Sequence, residues 1–201
     1  VLTGFKYIGE QIALLEAKGE AERFVLGYEE SYGYLSGTYV RDKDAVVASM
    51  LIVEMAAFYR AQGMTLLDRM QQLYARYGFY RNAVINVAFE GERGMAEMDA
   101  IMTGLRTDPP AALAGQPVTA IADYREQVRR DLTTNEKTAL TLPRSNVLSF
   151  RLADGAGVIV RPSGTEPKIK AYVTVIGRDA DDAAAREQAL LAAAHTMIGG
   201  K

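Results

Sequence analysis

The first 80 residues contain three segments in which apolar side chains recur three and four positions apart, as they do on one face of a helix. These segments predict helices over residues 8–18, over Lys43–Ala61 with Asp42 as the N-cap, and over Thr65–Tyr77. A short apolar run at 24–26 predicts a strand between the first two helices. This order of elements is typical of the last part of an α/β layer domain.

From about residue 80 apolar and polar residues alternate, which indicates strands with one buried face. A helix is predicted over Arg93–Arg106, a polar loop over 125–146, and a last helix starting near 179–182. The pattern predicts an α+β domain with an antiparallel sheet of four to five strands and two helices. The predicted domains are therefore an α/β fragment, 1–79, and an α+β domain, 80–201. The strand segments are "VINVAFE", "PVTAIADY", "NVLSFRL", "GVIVR" and "IKAYVTVI".

The composition is that of a globular protein, with 49% apolar and 24% charged residues among 201. The net charge of −2 gives no electrostatic case for binding nucleic acid or an anionic membrane. There is no cysteine, which excludes disulfides and thiolate chemistry and suits the cytoplasm. No apolar run approaches the roughly 20 residues that span a bilayer. The chain begins at Val1 rather than Met, which we interpret as a cut from a longer protein.

The connection between the last two predicted strands is rich in hydrogen-bond donors. Arg161 offers a fork of N–H groups, Ser163 and Thr165 offer hydroxyls, and Gly164 lets the backbone turn so that its N–H groups converge. Lys170 adds positive charge on the next strand. Such a set of donors is what a phosphate dianion needs. The alternative is a polar hairpin in which Ser and Thr cap their own turn.

A second polar segment, 26–45, combines carboxylates, hydroxyls and tyrosines. Glu29 and Ser31 lie between glycines and among tyrosines, and carboxylates beside aromatic faces commonly hold sugar hydroxyls. Arg41 and Lys43 lie at a helix start, where a cation opposes the helix dipole and therefore indicates a ligand anion or an acid–base role. The alternative is a solvated entry to the helix.

Three separated stretches together resemble the α-D-phosphohexomutases, in the phosphoglucomutase/phosphopentomutase branch. They are "TGFK" (3–6), "GYEESYG" (27–33) with "RDKD" (41–44), and "RPSGTEPKIKAY" (161–172). The resemblance implies the end of the family's third, sugar-binding domain and a complete fourth domain with a fold like that of the TATA-box-binding protein. The family's phosphoserine and magnesium loops, in its first two domains, have no counterpart here. The resemblance therefore implies Mg²⁺ and an activating sugar bisphosphate only for a complete enzyme, with no metal ligand in this chain.

The resemblance also assigns roles to particular residues. Glu29 and Ser31 contact the sugar, and either Lys43 or Lys6 is the general acid–base. The phosphate-binding residues are Arg161, Ser163, Gly164, Thr165 and Lys170. The implied partners are a small sugar phosphate and the missing N-terminal domains of the same chain, and this chain alone is expected to be inactive. The resemblance implies a mutase that interconverts glucose 1-phosphate and glucose 6-phosphate through a bisphosphorylated intermediate, with pentose or mannose phosphate as the next candidates. The alternative is a free-standing, non-catalytic phosphosugar-binding module.

Overall fold

The computed structural model describes residues 1–29, 32–91 and 93–199. The chain divides into two compact units, Val1–Leu73 and Tyr74–Lys201. Each unit is described by itself. The predicted fold class, an α/β fragment followed by an α+β domain, is confirmed.

The first unit consists of helices and one small hairpin. Its elements are α1 (Phe5–Glu16), a 3₁₀ turn (Ala21–Arg23), β1 (Gly27–Glu29), β2 (Gly33–Leu35), α2 (Ala45–Arg60) and the start of α3 (Leu66–Tyr77). The predicted strand at 24–26 is wrong, because strand pairing begins only at Gly27, which lies opposite Leu35 of the hairpin. The apolar run before it instead supplies Phe24 to a small core around Ile12 and Leu35.

Helix α2 leaves most of its apolar surface open. None of its residues is buried, and the side chains of Val46, Val53 and Phe58 are each more than 60% exposed. A helix that is apolar on several sides is normally covered on several sides. The first unit by itself therefore buries little of the apolar surface of α2.

The second unit is an antiparallel sheet with helices α4 and α5. Its strands are β3 (Phe79–Ala88), β4 (Ala112–Leu113), β5 (Gln116–Asp123), β6 (Val128–Asp131), β7 (Lys137–Ala139), β8 (Leu148–Leu152), β9 (Gly157–Pro162) and β10 (Lys168–Gly177). The helices are α4 (Gly94–Thr107) and α5 (Ala180–Met197). The strand order is β3-β10-β9-β8-β5-β6-β7, with β4 paired to β5. One apolar core under this sheet includes Phe150, Val158, Ile169, Met102 and Leu190.

The sheet has eight strands in the described residues, three more than the upper end of the predicted range. The five longer strands are the five that alternation predicts. The additional strands are short, and two of them, β6 and β7, lie in the segment 125–146 that was predicted to be a loop. Their residues are half-buried or exposed and mostly charged or polar, so no apolar alternation marks them. Pairing of β6 with β5 and of β7 with β6, not burial, makes them strands.

The predicted domain boundary falls inside a strand. Phe79 lies opposite Gly177, and Arg81 lies opposite Val175, so residues 79–81 belong to the sheet. Tyr74 stacks on Phe79, with ring centroids 5.3 Å apart, and so extends the second unit back into helix α3.

We expect residues 74–201 to fold as an isolated polypeptide, because the sheet and its core lie within this unit. A polypeptide of residues 82–201 is the matched control, since it loses three strand pairs and the Tyr74–Phe79 stack. The longer polypeptide should unfold cooperatively and at a higher temperature in circular dichroism melts. Equal melting temperatures, or rapid proteolysis within the sheet of the longer one, would contradict this division of the chain.

Candidate functional site

The connection between β9 and β10 forms a shallow basin at the end of the sheet. The Ser163 N–H donates to the Lys168 carbonyl at 2.7 Å, and the Lys168 N–H donates to the Glu166 carbonyl at 2.8 Å. These bonds hold the loop as it leaves β9. The basin has a volume of about 370 Å³ and is lined by residues 161–166 together with Lys168 and Lys170. We call it the β9–β10 basin.

Two cations of the β9–β10 basin have no ion-pair partner among the described residues. Arg161 on β9 and Lys170 on β10 lie directly opposite each other. In the part of the chain that the structure describes, neither forms an ion pair, whereas Lys168 pairs with Glu166 at 3.1 Å. Like charges placed opposite each other on paired strands destabilise a sheet. An anion bound between Arg161 and Lys170 would remove that repulsion.

The hydroxyl of Ser163 marks the point where loop donors converge. Its oxygen accepts the backbone N–H groups of Thr165 at 3.3 Å and Glu166 at 3.2 Å. Two successive N–H groups therefore point at one oxygen, as they do in an anion nest. Ser163 therefore does cap its own turn, as the alternative predicted, but only as an acceptor. Its hydroxyl hydrogen remains available for donation to a ligand.

Gly164 contributes space rather than an unusual backbone conformation. It is not among the glycines with positive φ, so the loop turns here without a backbone conformation that favours glycine. A Cβ added to it would meet no atom within 4 Å. Gly164 therefore lies at the open mouth of the β9–β10 basin, where a ligand can approach the backbone.

In the first unit, Glu29 and Lys43 form a pair across the β1–β2 hairpin. The Lys43 Nζ donates to Glu29 Oε2 at 3.3 Å, and the Glu29 side chain is only 13% exposed. Gly33 lies opposite Glu29 in the hairpin, and a Cβ there would overlap Lys43 Cδ. The glycine therefore gives Lys43 its path to Glu29. We call these three residues the Glu29–Lys43 cluster.

The protonation of Lys43 follows from this pairing. The hydrogen bond to Glu29, followed by the negative charge of Glu29, holds the pKa of the Lys43 ammonium above its ordinary value. Lys43 is therefore charged at neutral pH. In this arrangement it can donate a proton or stabilise negative charge, whereas action as a base requires that it first lose its proton.

The other candidate lysine, Lys6, lies on the first turn of α1. Its Nζ is 4.9 Å from the centre of the Tyr7 ring. Among the described residues it has no recorded contact with Glu29 or Lys43. The neighbouring Phe5 does approach the cluster, because its ring centre is 5.5 Å from Lys43 Nζ. The "TGFK" stretch thus reaches the Glu29–Lys43 cluster through an aromatic ring.

Arg41 connects the loop before α2 to helix α1. Its Nη2 lies 2.5 Å from Glu16 Oε2, and its Nη1 donates to the Thr38 carbonyl at 2.5 Å. A Cβ on Gly9 of α1 would lie 2.9 Å from the Arg41 carbonyl oxygen, so the two segments approach closely. These contacts give Arg41 a structural role. Of the two cations at the start of α2, Lys43 is therefore the candidate for a chemical role.

The N-cap of α2 is Asp44, and the prediction of Asp42 is wrong. The Asp44 carboxylate accepts the N–H groups of Val46 at 2.8 Å and Val47 at 3.2 Å, and it also accepts the Tyr39 hydroxyl. The Tyr39 hydrogen bond, followed by that from Val47, lowers the pKa of Asp44. The sequence "RDKD" offers two aspartates two residues apart, and spacing alone does not distinguish them.

Replacing Asp44 by alanine should lower the melting temperature of the chain, because two helix N–H groups lose their acceptor. Asp42→Ala is the matched control and should melt like the wild type, since the Asp42 side chain is 77% exposed. A depressed pKa in the folded state means that the contribution of Asp44 is present above the unfolded pKa of about 3.9. It is lost as the pH falls through the folded pKa. Melts at pH 7 and near pH 3 test both statements, and equal melting of the two variants at pH 7 would contradict them.

Tyrosines cover the outer face of the hairpin. Tyr28 and Tyr34 lie opposite each other, and both are exposed. Tyr32 is 88% exposed and has a φ of +63°, a conformation that a bulky residue adopts at a cost. Ser31, the second predicted sugar contact, lies outside the described residues. Because neighbouring residues of a strand point to opposite faces, Tyr28 and Tyr34 lie on the other face of the hairpin from Glu29.

The structure thus brings the predicted phosphate residues together around one basin and places Glu29 with Lys43. It also adds Lys168 to the basin, which sequence reasoning missed. The signal was present, because Lys168 and Lys170 are two residues apart on one strand and therefore share a face.

Two further findings limit the chemistry of the described residues. Within residues 1–29, 32–91 and 93–199, no group of three or more acidic, histidine or cysteine side chains is placed to hold a metal ion. The described residues thus provide no cluster of three such ligands for Mg²⁺. No helix in the same residues is long and apolar enough to cross a membrane.

Comparison with known proteins gives one consistent family. The family description "phosphoglucomutase/phosphomannomutase, alpha/beta/alpha domain III" matches residues 1–77, and that of the same family's C-terminal domain matches residues 84–194. A phosphoglucomutase of Staphylococcus epidermidis is 39% identical over 175 residues, which are 87% of this chain and 31% of the relative. One from Staphylococcus aureus is 38% identical over 191 residues, 95% of this chain and 34% of the relative.

A solved structure shows the same fold. The open form of pp63/parafusin from Paramecium superposes with a TM-score of 0.59 at 17% identity, over 97% of this chain and 33% of that chain. The chain spans about a third of the length of the curated relatives that it matches. With both family descriptions matched in order, the chain belongs to the phosphoglucomutase/phosphomannomutase family, of which it contains domain III residues and the C-terminal domain.

Proposed function

We propose that this chain is the C-terminal portion of a sugar-phosphate mutase that interconverts glucose 1-phosphate and glucose 6-phosphate through a bisphosphorylated intermediate. The observation behind the proposal is the β9–β10 basin, where Arg161 and Lys170 face each other without a neutralising carboxylate. The family and its phosphoglucomutase relatives support the same activity.

In this proposal the β9–β10 basin holds the phosphate that is not reacting. Arg161 binds two of its oxygens through its fork of donors, and Lys170 adds charge. The Ser163 and Thr165 hydroxyls donate to the remaining oxygens. Phosphoryl transfer depends mainly on positioning and on charge stabilisation, so a firmly held distal phosphate places the reacting end of the sugar. The substrate must bind in both orientations, which requires that the basin recognise phosphate and little of the sugar.

The Glu29–Lys43 cluster serves the sugar in the same proposal. Glu29 accepts sugar hydroxyl hydrogens, together with Ser31. Lys43, charged at neutral pH, acts as the proton donor at the sugar oxygen during phosphoryl transfer. We assign this role to Lys43 rather than Lys6, because Lys43 already contacts Glu29.

The remaining parts of the proposal concern the complete polypeptide. Further domains of the same chain supply the phosphoserine and the loop that binds Mg²⁺, a sugar bisphosphate activates the enzyme, and the 201 residues alone are inactive. A cytoplasmic location suits the cysteine-free sequence.

A turnover assay of the complete polypeptide tests the proposal. Glucose 1-phosphate should be the best substrate, with mannose 1-phosphate and ribose 1-phosphate as comparisons, and the 201-residue chain should show no turnover. Preference for mannose or pentose would correct the sugar, whereas binding without turnover by the complete polypeptide would favour a non-catalytic phosphosugar-binding module. A phosphoserine loop encoded upstream of Val1 would support the mutase.

A further inference from the structure

A second concave region of the α+β unit shares no residue with the β9–β10 basin. It is a cavity of about 380 Å³ between the C-terminal end of α4 and strands β5, β6 and β7. Leu105, Pro109 and Val128 form part of an apolar wall, and Arg106, Arg130 and Lys137 bring positive charge. We call it the β6–β7 cavity.

Two of these cations lie directly opposite each other. Arg130 on β6 is the register partner of Lys137 on β7. Arg130 is also the register partner of Ile121, which belongs to the buried core, so it lies on the helix-covered face of the sheet. Neither cation forms a hydrogen bond or ion pair through its side chain within the described residues. This repeats the arrangement of Arg161 and Lys170, with two facing cations beside a cavity and no counter-ion.

The carboxylates that line the same cavity already have partners. Asp123 accepts Arg106 Nε at 2.9 Å, and its other oxygen accepts the backbone N–H groups of Arg125 and Glu126 at 2.9 and 3.4 Å. The Glu126 carboxylate lies 3.7 Å from Arg125 Nε. Arg106 is further fixed by Asn146 Oδ1 at 2.5 Å. Asp123 is therefore paired with Arg106, Glu126 lies near Arg125 in solvent, and Arg130 and Lys137 are the lining cations that have no ion-pair partner among the described residues.

We propose that the β6–β7 cavity binds a small dianionic oxyanion, a phosphate monoester or a dicarboxylate, between Arg130 and Lys137. The planar fork of Arg130 matches two oxygens, Lys137 supplies a point charge, and the apolar wall accepts the carbon part of the ligand. This site is independent of the proposed mutase activity, because it uses neither the β9–β10 basin nor the Glu29–Lys43 cluster.

Nuclear magnetic resonance of the 201-residue chain carrying Arg161→Ala tests the site, because this background weakens phosphate binding at the β9–β10 basin. Inorganic phosphate and, in parallel, succinate are titrated at constant ionic strength. The backbone amides of 128–131 and 137–139 should shift and saturate. Saturation with phosphate alone identifies a tetrahedral oxyanion, and saturation with succinate identifies a dicarboxylate.

Variants separate binding from general electrostatics. Arg130→Ala should weaken the saturating response at least about tenfold, the loss expected for a charge-assisted contact. Arg129→Ala is the matched control, since Arg129 is next on the same strand and lies opposite Thr138, on the other face of the sheet. It should leave the affinity unchanged. Without added anion, Lys137→Ala should melt no lower than its parent, because it removes a like-charge neighbour.

Absence of saturating shifts with both anions would overturn the proposal. Equal weakening by Arg129→Ala and Arg130→Ala would also overturn it, because the response would then be a general effect of net charge. A lower melting temperature of Arg130→Ala and Lys137→Ala without any change in anion affinity would show a structural role instead.

Discussion

Arg161→Ala in the complete polypeptide should lower kcat/KM for glucose 1-phosphate by at least about tenfold, because a charge-assisted hydrogen bond to phosphate contributes about 1.5–3 kcal/mol. Arg161→Lys should lie between alanine and the wild type, since lysine restores the charge but not the fork of donors. The melting temperature should not fall in either variant, because Arg161 is exposed and forms no ion pair within the described residues. Steady-state kinetics and thermal melts on the same samples measure both effects.

The control for this experiment is Arg151→Ala. Arg151 is exposed on β8, opposite Gly157, and lies on the same face of the sheet as Arg161 but outside the β9–β10 basin. Its replacement should leave kcat/KM unchanged. Wild-type efficiency in Arg161→Ala, or an equal loss in Arg151→Ala, would remove Arg161 from the phosphate site.

The second large effect concerns Lys43. Lys43→Met should reduce kcat by roughly 10²–10⁴-fold, the usual contribution of a general acid or base. Methionine keeps the length of the side chain and removes its charge, so the Glu29 carboxylate loses its partner. Because the Glu29 side chain is only 13% exposed, the loss of its partner should also lower the melting temperature, and the kinetics are therefore measured at a temperature at which the variant is folded. Pre-steady-state measurement of phosphoryl transfer isolates the chemical step from product release.

Lys6→Met is the matched comparison, because it makes the same chemical change one residue away from Phe5. Lys6 lies over the Tyr7 ring and not against Glu29, so its loss should affect kcat much less than the loss of Lys43. A greater loss in Lys6→Met than in Lys43→Met would transfer the proton-donor role to Lys6.

The sequence predicts best where one physical signal dominates. Apolar alternation identifies the five longer strands of the sheet, because each has a buried face that alternation records. It misses β6 and β7, because their residues are half-buried or exposed and show no apolar alternation, and because they are strands only through the pairing of β6 with β5 and of β7 with β6. Burial selects apolar residue types, which are visible in the sequence. Pairing at the edge of a sheet selects no particular residue type.

The candidate sites show the same distinction. Residue type indicates that Arg161 and Ser163 are donors, but only the strand register places Lys170 opposite Arg161. The aspartate that caps α2 depends on where the backbone turns, so Asp42 and Asp44 look equivalent in the sequence. Lys43 reaches Glu29 by passing Gly33, which lies opposite Glu29 in the hairpin. This contact depends on the hairpin register, so the local sequence pattern does not predict it.

The most direct measurement titrates the isotope-labelled 201-residue chain with glucose 1-phosphate and follows the backbone amides, with glucose as the control. Amides of 161–170 should shift and saturate with glucose 1-phosphate, and Arg161→Ala should weaken this response at least about tenfold. Glucose alone should leave those amides in place. Unmoved amides at 161–170 in the wild type, under conditions where the sugar phosphate saturates another part of the chain, would contradict the central claim that the β9–β10 basin holds the phosphate.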